Sequence, residues 1–245
     1  LSIGAADGST TPDAPGAFTA TTLAFGSAGS ILNFNHDAAD YVFAAAISGA
    51  GTINQRAGDT NLTGDSSVFT GITNVSGGRL RVNGTLGDAT SAVNVLNGGT
   101  LGGAGTVGGS VSVDDGTIAP GNSPGTLTIA GNLSLTGASL LDYEFGHSDV
   151  VGGPLNDLTQ VGGDLTLDGT INVTVTPGGG FDPGLYRVIG YAGSLTDNGL
   201  AVGTVPGGSL VEVQTSILGQ VNLVNHAGID VNFWDGGTAN DGVVS

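Results

Sequence analysis

Gly77-Gly78-Arg79-Leu80-Arg81-Val82-Asn83-Gly84 returns along the chain as Gly108-Gly109-Ser110-Val111-Ser112-Val113, Gly131-Asn132-Leu133-Ser134-Leu135-Thr136-Gly137 and Gly162-Gly163-Asp164-Leu165-Thr166-Leu167-Asp168-Gly169. Each copy is a glycine turn followed by a short run in which apolar and polar residues alternate, the pattern of a strand with one face buried and the other wet. A partial copy stands at Gly98-Gly99-Thr100-Leu101. Measured between the glycines that precede each run, the steps are 21, 10, 22 and 32 residues. These sit near multiples of about 10.5, a strand-plus-turn unit that leaves no room for helices. The expectation is an all-β chain of short strands in series.

Composition narrows how such strands pack. The chain has 245 residues, of which 47 are glycine and only 5% aromatic, poor material for a deep globular core. Glycine adds no side chain to a core and costs chain entropy on ordering. A stacked solenoid needs only a thin apolar column, each turn covered by its neighbours. A mean hydropathy of +0.23, together with regular alternation, argues against low-complexity disorder. With two of the 10.5-residue units to a turn, the chain would form about 10–12 turns and a rod of about 50 Å.

Lysine is absent, and four arginines face 21 acids for a net charge of −17. Such a surface repels phosphate backbones and anionic lipids, so nucleic acid is excluded as a partner class. No cysteine is present for a disulfide or thiolate site. No apolar run approaches the roughly 20 residues of a spanning helix, and Leu1-Ser2-Ile3-Gly4 has no basic leader. Direct membrane insertion of this segment is therefore not expected.

Three regions are expected: irregular turns or a truncated edge over 1–46, regular repeats over 47–176, and more apolar turns over 181–245 after the break at Pro177-Gly178-Gly179-Gly180. Neither end carries an obvious cap, so a piece of a longer rod is expected.

Three stretches carry a family likeness: Ile47-Ser48-Gly49-Ala50-Gly51-Thr52-Ile53, the run from Phe69 through Gly84, and Ile118-Ala119-Pro120-Gly121-Asn122-Ser123-Pro124-Gly125-Thr126-Leu127. Together they resemble the passenger-associated repeats of Gram-negative autotransporters (type V secretion). The Asp157 to Gly169 stretch and Phe233-Trp234-Asp235-Gly236 fit the same family. The resemblance implies a right-handed parallel β-helix, exported and carried to the cell surface by a C-terminal outer-membrane barrel of the parent chain, which these residues do not include. It also implies that 181–235 stand where such passengers place a folding-promoting segment. The expected work is structural and adhesive, with a host-cell surface component, a matrix component or a second copy as partner. A pure stalk and a glycan-active β-helix enzyme are the alternatives, because fold likeness leaves function open.

Candidate chemistry within the chain is sparse. Gly121-Asn122-Ser123-Pro124-Gly125 matches the G-x-S-x-G nucleophile elbow, but that elbow draws an oxyanion donor from the backbone N–H after the serine, and proline has none. Asp142 and Glu144 alternate with Leu141, Tyr143 and Phe145, which puts both acids outward about 6.6 Å apart along a strand, near glycosidase separations; a solvated face explains them as well. Gly152-Gly153-Pro154-Leu155-Asn156-Asp157 begins like a calcium nonapeptide, yet Leu155 replaces a required glycine and the pattern does not recur. The turn aspartates Asp114 and Asp115 are expected to bond their own backbone. His36, His147 and His226 lack metal or triad spacing and are read as isolated surface or turn residues. Arg56-Ala57-Gly58-Asp59 is not the Arg-Gly-Asp tripeptide, and Trp234 beside Phe233 is read as a core aromatic of an end turn. No catalytic residue, metal or cofactor is expected, and only modest loops are visible.

Overall fold

A computed structural model of the chain describes residues 1–228. It is all-β, with parallel strands stacked into one sheet of nine and two of eight. From Thr52 onward the chain visits the three sheets in rotation, one strand from each per turn, the arrangement of a parallel β-helix; before it, Thr22–Ala24 and Ala46–Ser48 pair in a separate two-stranded sheet. The first sheet stacks Ile31–Asn35, Thr52–Ala57, Ile72–Val75, Ala92–Leu96, Ser110–Asp114, Leu133–Leu135, Leu165–Leu167 and Leu195–Asp197 in order, with Ser2–Gly4 before them. At about 4.8 Å per step, its nine strands span about 38 Å.

Two expectations are corrected here. The unit is a turn of about 20 residues with three strands, not two units of 10.5, because the third sheet begins with strands of only two residues (Asp65–Ser66, Thr85–Leu86, Thr106–Val107) that alternation cannot register. The copies at Arg79 and Thr100 also belong to the second sheet, whereas those at Ser110, Leu133 and Leu165 belong to the first. The step of 32 residues is therefore one turn with an insertion. The described residues make fewer turns and a shorter rod than the sequence spacing implies.

Inward columns form the core. Leu80, Leu101, Ile118, Leu141 and Ile171 lie in register down the second sheet and are buried. On the outer face of the first sheet the in-register residues are Asn33, Asn54, Asn74 and Asn94, then Ser112, Ser134, Thr166 and Thr196. Each asparagine from Asn54 to Asn94 donates its amide to the carbonyl oxygen of the one before, at 2.9–3.1 Å. Asn33 ends this ladder on the Asp7 carboxylate, which also holds Arg56.

Side chains also clip the corner between the third and first sheets. Asn132 accepts the backbone N–H of Asp164 at 2.8 Å, and Asp164 accepts that of Ser194 at 2.7 Å. The polar residue following the glycine of the repeat is thus a clip to the next turn. Glycine itself is required at the corner between the second and third sheets, where Gly84 lies so close to the Gly64 carbonyl that any Cβ would overlap it.

The parallel series of the third sheet ends in an antiparallel hairpin. Gly184–Tyr191 pairs with Gln220–Asn225, which pairs with Val211–Gln214. The apolar tail read as further turns therefore departs from the helical path in this sheet, while Leu195–Asp197 and Ala201–Val202 continue the other two.

His36 corrects another expectation, being fully buried rather than on the surface. Gln55, also buried, donates its amide to the Ala57 and Gly58 carbonyls at 2.8 and 3.1 Å, so its oxygen is left to accept from Thr60 at 2.6 Å. With its proton so committed, the Thr60 hydroxyl accepts from His36 Nε2 at 2.9 Å. That fixes the imidazole as the Nε2–H tautomer and leaves Nδ1 buried without a partner. Gly58, at φ +80°, lets the backbone pass against the ring.

Candidate functional site

From Ile31 onward, the connections at two of the three corners have at most five residues, and those at the third grow longer. Between the second and third sheets the connections are two residues long on three successive turns (63–64, 83–84, 104–105). They then lengthen to five (121–125), twelve (146–157), eight (176–183) and eight (203–210). The twelve-residue segment overturns the expectation of only modest loops. It accounts for the long step in the repeat spacing and lies where a scaffold can vary without disturbing its core.

Buried side chains hold these loops in place. Asn156 accepts the backbone N–H groups of Gly146 and His147 at 2.9 and 3.1 Å, and donates to the His147 and Val150 carbonyls at 2.7 Å each. Asp157 accepts from Gly125 through one oxygen and from Glu144 through the other, both at 2.8 Å. One carboxylate thereby ties the 121–125 turn, the strand Leu140–Phe145 and the end of the long loop together. Thr176 donates to the Leu155 carbonyl and Gly180 to that of Gly146, which joins the 146–157 and 176–183 loops. Beneath them Phe145, Phe181 and Tyr186 pack with ring centroids 4.5–6.2 Å apart, and Tyr143 stacks on Phe145.

The candidate residues fall around this frame. Leu141, Tyr143 and Phe145 point inward and Asp142 and Glu144 outward, as alternation implies. Ser123 donates to Glu144 at 2.7 Å, so its partner is a carboxylate and not an imidazole. The Asn156 and Asp157 oxygens, the acidic end of the calcium-like stretch, are taken by backbone N–H groups. No group of three potential metal ligands converges among the described residues. Asp114 accepts the Thr136 hydroxyl of the next turn instead of its own backbone, and Asp115 sits at φ 55°. His147 is exposed on the long loop, and His226 lies 3.7 Å from Glu212. Arg56 pairs with Asp7, and Asp59 with Arg81. Trp234 and Phe233 lie outside the described residues.

Asp157 makes the frame sensitive to pH. Burial raises its carboxyl from 3.8 to about 7, against the opposing pull of the Glu144 and Gly125 N–H groups and the Arg79 charge. A folded value above the unfolded one gives stability that is complete below 3.8 and lost as the pH rises through about 7. Thermal denaturation should therefore show a loss on the order of 2–4 kcal/mol between acidic and mildly alkaline pH. Asp157→Asn should flatten that slope relative to the parent chain, at lower overall stability, because its amide accepts only one of the two N–H groups. Parallel slopes for the two proteins would refute the assignment.

No family model matches the chain. Over 220 residues, 88% of its length, it is 46% identical to the adhesin BmaC autotransporter of Brucella suis biovar 1 (strain 1330). It spans about 6% of that relative's length. The match bears out the resemblance to autotransporter passengers read from the repeats, and with it an exported, surface-exposed location.

Proposed function

We propose that this chain, a segment of an exported autotransporter passenger, is a non-enzymatic β-helical rod that presents the lengthened corner for adhesive contact. The observation that carries the reading is that, from Ile31 onward, every connection longer than five residues, 146–157, 176–183 and 203–210, lies at the same corner. A repeated face carrying such loops suits several weak contacts acting together. Host-cell or matrix components and a second copy are the candidate partners. The non-enzymatic part is supported by Ser123, which faces a carboxylate and is followed by Pro124, without an N–H to offer an oxyanion. The related protein is named an adhesin.

The test is binding of the purified chain to cultured cells and to matrix proteins, with Val150→Ser/Val151→Ser as the variant. These two valines are 41% and 54% exposed on the long loop and support no core. Saturable binding that falls about fivefold or more in the variant, the equivalent of roughly 1 kcal/mol, is expected. A well-folded chain that binds none of these surfaces would reduce it to a stalk.

A further inference from the structure

Positive charge in this protein is spent internally. Arg56 is paired with Asp7 at 3.0 Å. Arg81 lies between Asp40 and Asp59, with its side chain 14% exposed. Arg79 donates to the Gly121 carbonyl at 3.3 Å, its Nε buried, and Arg187 donates to Asn222 at 2.8 Å. With no lysine in the sequence, the described residues hold no other lysine or arginine charge to meet a partner.

The early and late turns of the second sheet differ in consequence. In the early turns, the acids Asp40 and Asp59 are neutralised by Arg81 on the same outer face. Later, the outward residues of Leu140–Phe145 are Leu140, Asp142 and Glu144, and those of the neighbouring Thr170–Val175 include Thr170, Asn172 and Thr174. Leu140 is 41% exposed on this face. Asp142 accepts only the Asn172 amide and Glu144 only the Ser123 hydroxyl from side chains, and neither is in an ion pair among the described residues. The adjoining loops add Asp149 and Asp182, both exposed.

We propose that this outer sheet face, from Leu140 to Thr174, docks a lysine- or arginine-bearing polypeptide segment of the partner. The inference rests on the adhesive reading above and names the chemistry of what that corner meets. Complementarity selects the occupant: a basic segment offers the charge that Asp142 and Glu144 lack, and its aliphatic stems can cover Leu140. Sulfated or sialylated glycans, nucleic acids and anionic lipids carry the wrong sign for this face.

The experiment immobilises the full chain and titrates poly-L-lysine, poly-L-glutamate and heparin at low and high salt. Asp142→Asn/Glu144→Gln keeps the hydrogen-bond acceptors for Asn172 and Ser123 while removing two charges. Asp37→Asn/Asp115→Asn removes two exposed charges from the corner between the first and second sheets. The expected result is salt-sensitive poly-lysine binding that weakens at least about fivefold in the first variant and less than about twofold in the second. Equal weakening in both would mean a diffuse field and overturn the proposal, as would absence of poly-lysine binding or a preference for heparin. If cell or matrix binding persists undiminished in Asp142→Asn/Glu144→Gln, this face is wrong while the adhesive reading stands. If poly-lysine binds this face but cells and matrix do not, the face stands and the adhesive reading falls.

Discussion

Replacing Phe145 with alanine is expected to destabilise the rod by about 3–5 kcal/mol, the usual cost of deleting a fully buried aromatic side chain. Phe145 has no exposed surface and sits among Tyr143, Phe181 and Tyr186, so the void would open where the 146–157 and 176–183 loops are anchored. The loss should not be spread evenly. Solenoid turns interact with their neighbours alone, so amide exchange should accelerate over 140–191 and stay near the parent value over 52–114. Uniform acceleration along the chain would mean that the turns are coupled over a longer range than their contacts imply. Phe145→Leu, which refills much of the volume, should recover most of the loss.

The second large effect is expected at Gln55. Substitution by leucine removes the acceptor of the Thr60 hydroxyl and the side-chain donor to the Ala57 and Gly58 carbonyls, of which Gly58 keeps the Arg79 N–H. An orphaned buried group costs about 1–3 kcal/mol, so a loss of about 2 kcal/mol is expected. The same change frees Thr60 to donate to His36. Nitrogen chemical shifts of the imidazole should show the Nε2–H tautomer in the parent and a shift toward Nδ1–H in Gln55→Leu. Burial lowers the His36 pKa from 6.5, more strongly than Asp37, the Ala38 backbone and Asp59 raise it. Its contribution to stability is present above 6.5 and is lost as the pH falls through the depressed folded value. An unchanged tautomer in the variant would contradict the proton order deduced for this network.

Much of the architecture could be read from residues. Alternation at Leu133-Ser134-Leu135 and Leu165-Thr166-Leu167 gave strands with the correct faces buried, because a period of two is all that a one-sided strand demands. Leu141, Tyr143 and Phe145 were legible for the same reason. The two-residue strands of the third sheet were not, since two residues carry no period. Their omission merged three strands into two, although a turn of about two 10.5-residue units came close to the observed length. The long loop hid inside a step of 32 residues that happened to resemble a multiple of the repeat; Pro154 and the glycines beside it were the available signal. His36 was misplaced because its burial depends on Gln55 and Thr60, which lie 19 and 24 residues away. The clips at Asn132 and Asp164 were visible as polar residues after glycine, but their acceptor role appears only once successive turns are stacked.

Every parallel ladder in the three sheets runs from one turn to the next, along the direction in which the turns accumulate. A load applied to the two ends of the stack therefore pulls on the hydrogen bonds lengthwise and meets them one turn at a time, as a zip is opened, instead of shearing many together. Each turn that yields releases about 65 Å of chain for its 20 or so residues, while the turns behind it keep their own neighbours. In a tether under drag, such a stack lengthens in instalments and gives up contour before it gives up its remaining fold.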